Sequence, residues 1–368
     1  MYLEKLSVLN FKNIEQCELP LSPKLNCFVG DNGTGKTNLL DALYFLSMSK
    51  SALNLSDGQC VRHDADFFML DGDYVMQPDR REAVVCSFKR GSGKTLKRNG
   101  KEYERISEHI GLLPVVLVSP SDTALINESG DERRRFMNLF LSQIDRGYLS
   151  AMQKYNQLLA ERNRILKNSA GFEGIIEVID MQLCECAEGV HGKRADFVER
   201  LAPVAARYYR DISGDTEQVE VTYRSELSAR PMPELLKAAA ERDRILGHTT
   251  CGVHRDDLAM TISGYPIRKY GSQGQQKSML IALKLAQFDI IREQCGVKPI
   301  MLLDDVFDKL DLRRVEHLIS LVAGEDFGQI LITDSNKIRM EGILEKLTAD
   351  YRLFDVAGGV MTPHKAAV

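Results

Sequence analysis

Eight residues near the N-terminus, Gly30-Asp31-Asn32-Gly33-Thr34-Gly35-Lys36-Thr37, complete the pattern G-x-x-x-x-G-K-[ST] and constrain what can surround them. The pattern works only as a loop between a buried strand and the start of a helix, and both flanks read that way. Asn26-Cys27-Phe28-Val29 has the apolar density of a strand end, and Asn38 to Leu46 that of a helix. Gly30, Gly33 and Gly35 let the backbone turn until several N–H groups face one phosphate. Lys36 reaches the β- and γ-phosphates of ATP, the Thr37 hydroxyl ligates Mg²⁺, and the helix N-terminus favours the anion. Asp31, Asn32, Thr34 and Asn38 complete the ATP-contacting run. A similar stretch, Gly91-Ser92-Gly93-Lys94-Thr95, has Phe88 where the first glycine belongs and no apolar helix after it, so it reads as a polar hairpin.

Asp304-Asp305 lies 268 residues (304 − 36) beyond Lys36, at the end of the apolar run Pro299 to Leu303. Such a run suits a parallel strand covered on both faces. Two adjacent carboxylates there repel each other and lose hydration, an objection that bound Mg²⁺ removes. Asp304 is therefore assigned to the metal, and Asp305 to orienting or deprotonating the attacking water. Between loop and carboxylates, Gly271 to Ser278 opens the apolar helix Met279 to Ala286. A small Ser272 at a helix N-terminus, with Gly274 close behind, makes another anion site. The chain already has one phosphate loop, so this site needs a γ-phosphate from elsewhere. Ser272, Gln273, Gly274 and Gln275 are read as acting in trans, on a second copy.

These residues resemble the ABC-type ATPase heads of the SMC group, over most of the chain. Leu9-Asn10-Phe11-Lys12-Asn13 is similar to the family's opening segment near the nucleotide base, which adds Lys12 to the ATP-binding set. Ser119-Pro120-Ser121-Asp122 with Arg133-Arg134-Arg135-Phe136 resembles the middle segment, and Gly252-Val253-His254-Arg255-Asp256-Asp257 the histidine-containing stretch before the signature. The run Leu302 to Asp311 resembles the acidic motif and a D-loop ending at Asp311, with Asp305 where most ABC ATPases have Glu. Ile330-Leu331-Ile332-Thr333 resembles the switch segment and puts Thr333 near the γ-phosphate as a catalytic residue. Lys12 stands where many members have Arg, Val253 replaces a usual Pro, and no Gln-loop glutamine is evident near Pro120.

The resemblance implies an α/β fold: an ABC-type ATPase head with a P-loop sheet and helices, plus an inserted, mainly helical lobe. It implies an ATPase that binds duplex or gapped DNA, forms a homodimer when ATP-bound and hydrolyses ATP slowly. Implied partners are RecR and RecO, with RecA placed at DNA gaps. Two competing classes stay open, an ATP-gated scaffold without significant hydrolysis and a transporter's nucleotide-binding subunit. Asp305 and the Phe11-Lys12-Asn13 segment speak against the transporter.

A net charge of −4 means that nucleic-acid affinity must come from a local basic patch. Lys89, Arg90, Lys94, Lys97, Arg98 and Lys101 fall in one stretch without acids, with the hairpin signal Asn99-Gly100 inside it. Lys89, Arg90, Lys97 and Arg98 are the candidate DNA contacts; protection of a sheet edge is the equal alternative. The eight cysteines include no C-x-x-C pair, and Cys184 and Cys186 do not share a helix face, so reduced structural thiols are expected. No signal peptide opens the chain and no apolar run is long enough to span a membrane, so a cytoplasmic location away from membranes is expected.

The pattern divides the chain into an N-terminal part of the head at 1–125, an inserted helical lobe at 126–215 and a C-terminal part of the head at 216–368. Ser129 and Glu132 are spaced as a capping box, and Phe136, Leu139, Phe140 and Ile144 share one helix face. Arg133, Arg134 and Arg135 fan around that helix in steps of about 100°, as on a solvated face with one arginine salt-bridged. Val219 to Tyr223 alternates as a strand returned to the head. His254 is read either as part of the motif or as a structural histidine bonded to nearby carboxylates. Gly358 to Val368 is expected to be a loose tail.

Overall fold

A computed structural model describes residues 1–168, 173–214, 217–307, 312–345 and 350–364; the expected D-loop residue Asp311 lies outside them. Two compact units emerge, Met1–Asp122 with Gln287–Val368, and Thr123–Ala286. The first opens with β1 (Tyr2–Phe11), β2 (Ile14–Pro20), β3 (Leu25–Val29), α1 (Lys36–Met48) and α2 (Asp57–Cys60). It continues with β4 (Phe67–Gln77), β5 (Arg80–Lys89), β6 (Gly93–Arg98), β7 (Lys101–Glu102) and β8 (Val115–Val118). The second unit carries α3 (Ala124–Asn127), α4 (Gly130–Ile144), α5 (Arg146–Asn168), α6 (Glu173–Ser213), β9 (Val219–Arg224) and α7 (Met232–Leu246). It goes on with β10 (Asp257–Ile262), β11 (Tyr265–Pro266), α8 (Ile267–Tyr270) and the start of α9 (Gln273–Cys295). The chain then adds β12 (Ile300–Asp304), α10 (Leu312–Ala323), β13 (Ile330–Asp334), α11 (Lys337–Leu344), β14 (Tyr351–Ala357) and β15 (Val360–Pro363) to the first unit.

The first unit holds two six-stranded sheets, ordered β2-β1-β4-β5-β6-β7 and β15-β14-β3-β13-β12-β8. Strands β3, β12 and β13 are buried at every position and pair in parallel, which is why their sequences are continuous apolar runs instead of alternating ones. Helix α1 packs against strands of both sheets and is accordingly buried around its circumference. Without tryptophan, phenylalanines fill this core. The Phe11, Phe45 and Phe68 rings meet edge to face at 5.2, 5.3 and 5.9 Å between centroids.

Of the expected loose tail, Gly358 to Val368, the described residues 358–364 take a defined turn and strand, and 365–368 lie outside the described residues. Residues 351–357 form β14, and Gly358 and Gly359 turn it back with φ of +56° and +84°, so that β15 pairs antiparallel with β14 as far as Ala357–Val360. Two consecutive left-handed residues are the usual requirement of a tight hairpin turn.

In the second unit, α5 and α6 run to 23 and 41 residues and pack along each other. Strands β9, β10 and β11 form a separate three-stranded sheet, with β9 against α6. Val219–Arg224 is thus a strand as expected, but it belongs to this unit, which extends past residue 215 to Ala286. Buried ion pairs tie it together. Arg194 and Asp256, each 1% exposed, lie 2.5 Å apart, and Arg162 bonds Asp243 at 2.7 Å and Asp180 at 2.6 Å. The expected solvated arginine face does not form. Arg133 is buried and grips both Asp257 oxygens, Arg134 bonds Asp131 and the Asp256 carbonyl, and Arg135 pairs with Glu132. Packing of α4 on β10 brings Arg133 to Asp257, while Arg134 and Arg135 pair one turn back along α4 itself. The Ser129 capping box is also absent, since the Ser129 hydroxyl bonds Asp131 and Glu132 is engaged by Arg135.

Candidate functional site

Strand β3 delivers the chain into the glycine-rich loop, and α1 begins at Lys36. Gly33 and Gly35 hold φ of +80° and +110°, a backbone region that side chains disfavour. Lys36 is 6% exposed, and its ammonium donates to the Gly30 and Asp31 carbonyls at 2.6 and 2.7 Å. Burial pulls its pKa down, against the opposing pull of Asp305, Asp304 and Asp334. Asn32, Gly33, Gly35, Lys36, Thr37, Asn38, Asp304 and Asp305 line one cleft of about 160 Å³.

Parallel pairing of β12 beside β13 sets the carboxylates at the same end as the loop. Asp304, 3% exposed, accepts from Thr37 Oγ1 at 2.9 and 3.0 Å and from Thr333 Oγ1 at 2.7 Å. Burial raises the Asp304 pKa above the ordinary carboxylate value, with the two threonine hydrogen bonds opposing. Asp305 has a φ of +46°, and its N–H donates to the Thr333 side chain and carbonyl at 3.0 and 3.2 Å. Its Oδ1 is buried without a hydrogen-bond partner among the described residues. Thr333 is fully buried, bonds Asp304 and the Asp305 N–H, and is not among the residues that line the cleft. Thr37, Asp304 and Asp305 form a hard-oxygen set suited to Mg²⁺, which retains waters and takes few protein ligands.

Other expected residues have different surroundings. Lys12 turns inward with φ +54°, and its ammonium sits 2.6 Å from the buried Asp41 carboxylate. Asp41 also accepts from Ser51 Oγ and Ala52 N, so the pair anchors the β1–β2 turn to α1. Ser272 and Gln273 lie exposed at the start of α9 in the second unit. Ser272 Oγ accepts from Gln275 N at 3.2 Å while Gln275 Oε1 accepts from Ser272 N at 2.6 Å, a capping box that leaves the hydroxyl at the helix end. His254 bonds the Tyr155 hydroxyl and the Thr249 carbonyl, not carboxylates.

The basic stretch forms β6 and its turns, and pleating splits it. Leu96 is buried, so Lys94 and Arg98 share its face while Lys97 takes the other. Arg98 is clamped to buried Glu82, whose pKa it lowers to about 2; Lys94 pairs with Asp57, and Arg90 donates to the Gly58 carbonyl. Lys89 and Lys97 are the exposed members of the four candidates that carry no such tie. All eight cysteines are free, and burial pushes the Cys17 and Cys60 thiols up to about 11.

Sequence reading missed three contributors. Asp334, fully buried at the end of β13, takes a bidentate Arg339 and offers its carbonyl to Gly30 N. Asn13 accepts from Asn38 Nδ2 at 2.7 Å and lies over Gly35. Gly359 donates its N–H to Thr34 O at 2.8 Å. The Gly358-Gly359 pair carried a local signal, as a turn after an alternating strand, and Asn13 closed the segment that resembles the family's opening, without being assigned to the site.

Residues 2–359 match the family described as the RecF/RecN/SMC N terminal domain. The chain is 48% identical to the DNA replication and repair protein RecF of Bacteroides thetaiotaomicron, with 98% of each chain covered. It is 42% identical to the protein of that name from Flavobacterium johnsoniae, covering 97% of this chain and all of the relative. Among solved structures, it is similar to the recombination mediator protein RecF bound to ATP in the RecFOR pathway, with a TM-score of 0.88 and 28% identity over 99% of this chain and 98% of that one. The Smc head of Pyrococcus furiosus shares the fold at a TM-score of 0.58 and 16% identity, over 99% of this chain and 96% of that one.

Proposed function

The chain belongs to the RecF/RecN/SMC N-terminal domain family, whose heads are ABC-type ATPases, and from that premise we propose an ATP-gated DNA-binding protein of recombination and repair. One observation carries the reading most directly: the Thr37 hydroxyl touches both Asp304 oxygens, beside a buried Asp305 oxygen that has no partner among the described residues. In this reading the loop N–H groups and Lys36 hold the β- and γ-phosphates. Thr37 and Asp304 would hold Mg²⁺, which would supply charge neutralisation at the phosphate oxygens. Asp305 orients the attacking water and accepts its proton. Thr333 is a positioning residue for both carboxylates. Asp305 is one methylene shorter than the usual Glu, so its carboxylate reaches less far towards the water, in keeping with slow hydrolysis.

Ser272 to Gln275 would complete this site from a second copy, making two ATP molecules part of a symmetric interface. ATP binding then closes a dimer on duplex or gapped DNA and hydrolysis releases it. The ATP-bound relative supports the nucleotide, and its RecFOR pathway supports RecR and RecO as partners; RecA as the protein to be placed rests on the motif resemblance alone. No helix among the described residues is long and apolar enough to cross a membrane, and a cytoplasmic place fits this role. The test is molar mass by light scattering, with and without ATP and a gapped duplex. The mass should double with ATP and the dimer should load onto the gap; a monomer under all these conditions would overturn the reading.

A further inference from the structure

We propose that the β14–β15 hairpin is a positioning clamp on the phosphate loop, with Gly359 setting the loop's shape for the triphosphate. This rests on the loop being an ATP site. The Gly359 N–H holds the Thr34 carbonyl at 2.8 Å. A trans peptide points its C=O and N–H in opposite directions, so holding the Thr34 carbonyl also aims the Gly35 N–H away from the hairpin. Gly35 lines the cleft. A phosphate loop acts by aiming such N–H groups, and a turned peptide would present an oxygen to the phosphate instead.

The fit around this contact leaves no room for adjustment. A Cβ on Gly359 would lie 2.4 Å from the Asn13 carbonyl oxygen, and one on Gly30 would lie 2.2 Å from the Val356 carbonyl oxygen in β14. From the N-terminal side, the Asn13 side chain lies 2.8 Å from where a Gly35 Cβ would stand. The loop is therefore held at its start by β14, in its middle by Gly359 and at its end by Asn13. The hairpin is itself anchored: Phe354 stacks on Phe28 at 5.0 Å, and Asp355 bonds Lys337 at 2.7 Å and His364 at 2.8 Å.

The neighbouring glycine supplies the control. Gly358 also has a positive φ, but the space around its Cβ position is open. Gly358→Ala and Gly359→Ala share the backbone strain, whereas only Gly359→Ala pushes on the Asn13 backbone and so draws the Gly359 N–H off the Thr34 carbonyl of the loop. Titration with a fluorescent ATP analogue and steady-state kinetics should show Kd and KM raised about tenfold for Gly359→Ala, with kcat within about twofold. Gly358→Ala should keep parental values while losing only the thermal stability that the shared backbone strain costs, less than Gly359→Ala loses. Hydrogen exchange on the unaltered chain gives a second measurement that does not depend on a variant folding. ATP should slow exchange at the Gly359 amide, and the effect should vanish in Lys36→Ala. Equal nucleotide affinity in the two glycine variants, or exchange at Gly359 indifferent to bound ATP, would overturn the clamp. A parent chain that binds no more ATP than Lys36→Ala would instead overturn the nucleotide reading, and the clamp with it.

Discussion

Asp305 sits in the left-handed region at a φ of +46°, where a non-glycine residue costs on the order of 1 kcal/mol or more. Asp and Asn tolerate this region better than most side chains. Asp305→Asn therefore keeps the backbone while removing the proton acceptor. ATP affinity should stay within about twofold of the parent, and turnover should fall by about 10² or more in a phosphate-release assay. Turnover near the parental rate would remove Asp305 from the water-orienting role. Asp304 differs, because burial raises its pKa and so penalises its charged form in the nucleotide-free fold. The folded pKa lies above the unfolded one, so the nucleotide-free protein gains stability as pH falls through the raised value and bears the penalty above it. Asp304→Asn should accordingly raise the melting temperature at pH 7 without ligand, by about 2 °C, and abolish Mg²⁺-dependent hydrolysis. A lower melting temperature would mean that the threonine hydrogen bonds outweigh desolvation.

At the scale of elements, strand pleating decides what a cluster of basic residues can do. Lys89 and Lys97 are exposed, whereas Arg98 is held by buried Glu82. Reversing Lys89 and Lys97 to Glu should weaken DNA binding for all sequences alike and reduce the log–log salt slope by roughly 0.9 per lost duplex contact. An unchanged slope would assign them to edge protection. Arg98→Ala should act on stability instead, costing about 1–3 kcal/mol in thermal unfolding because Glu82 is left buried with fewer donors. The same logic applies in the helical unit. Three adjacent arginines read from their spacing as a solvated face each find a carboxylate: α4 packs on β10 and brings Asp257 to Arg133, and Arg134 and Arg135 pair with Asp131 and Glu132 one turn back on α4.

For the whole molecule, the loop with its carboxylates belongs to one compact unit and the Ser272 helix end to the other. If Ser272 works across a dimer, Ser272→Arg should block ATP-dependent dimerisation while monomers still bind ATP. Lys36→Ala should bind none. Mixing the two leaves one productive pocket per mixed dimer, intact Lys36 facing intact Ser272, and a fraction of parental hydrolysis should return. If Ser272→Arg alone dimerises and hydrolyses normally, the composite site is wrong.

By itself the sequence determined the glycine loop, the buried strands β3 and β12, the two carboxylates and the helix behind Ser272. Each of these rests on local chemistry: glycines that accept positive φ, apolar runs that want burial, and a small residue that caps a helix. Tertiary structure alone decided the rest. Strands β3, β12 and β13 had to pair in parallel before Thr37, Asp304 and Thr333 could share hydrogen bonds. The chain's end had to fold back before Gly359 could hold Thr34, 325 residues (359 − 34) earlier in the chain. Lys12 could meet Asp41, and Arg133 Asp257, only once packing had removed the water that a lone basic residue prefers. Local preference is written in a few neighbouring residues, whereas a partner for a buried charge is chosen by the packing of distant segments.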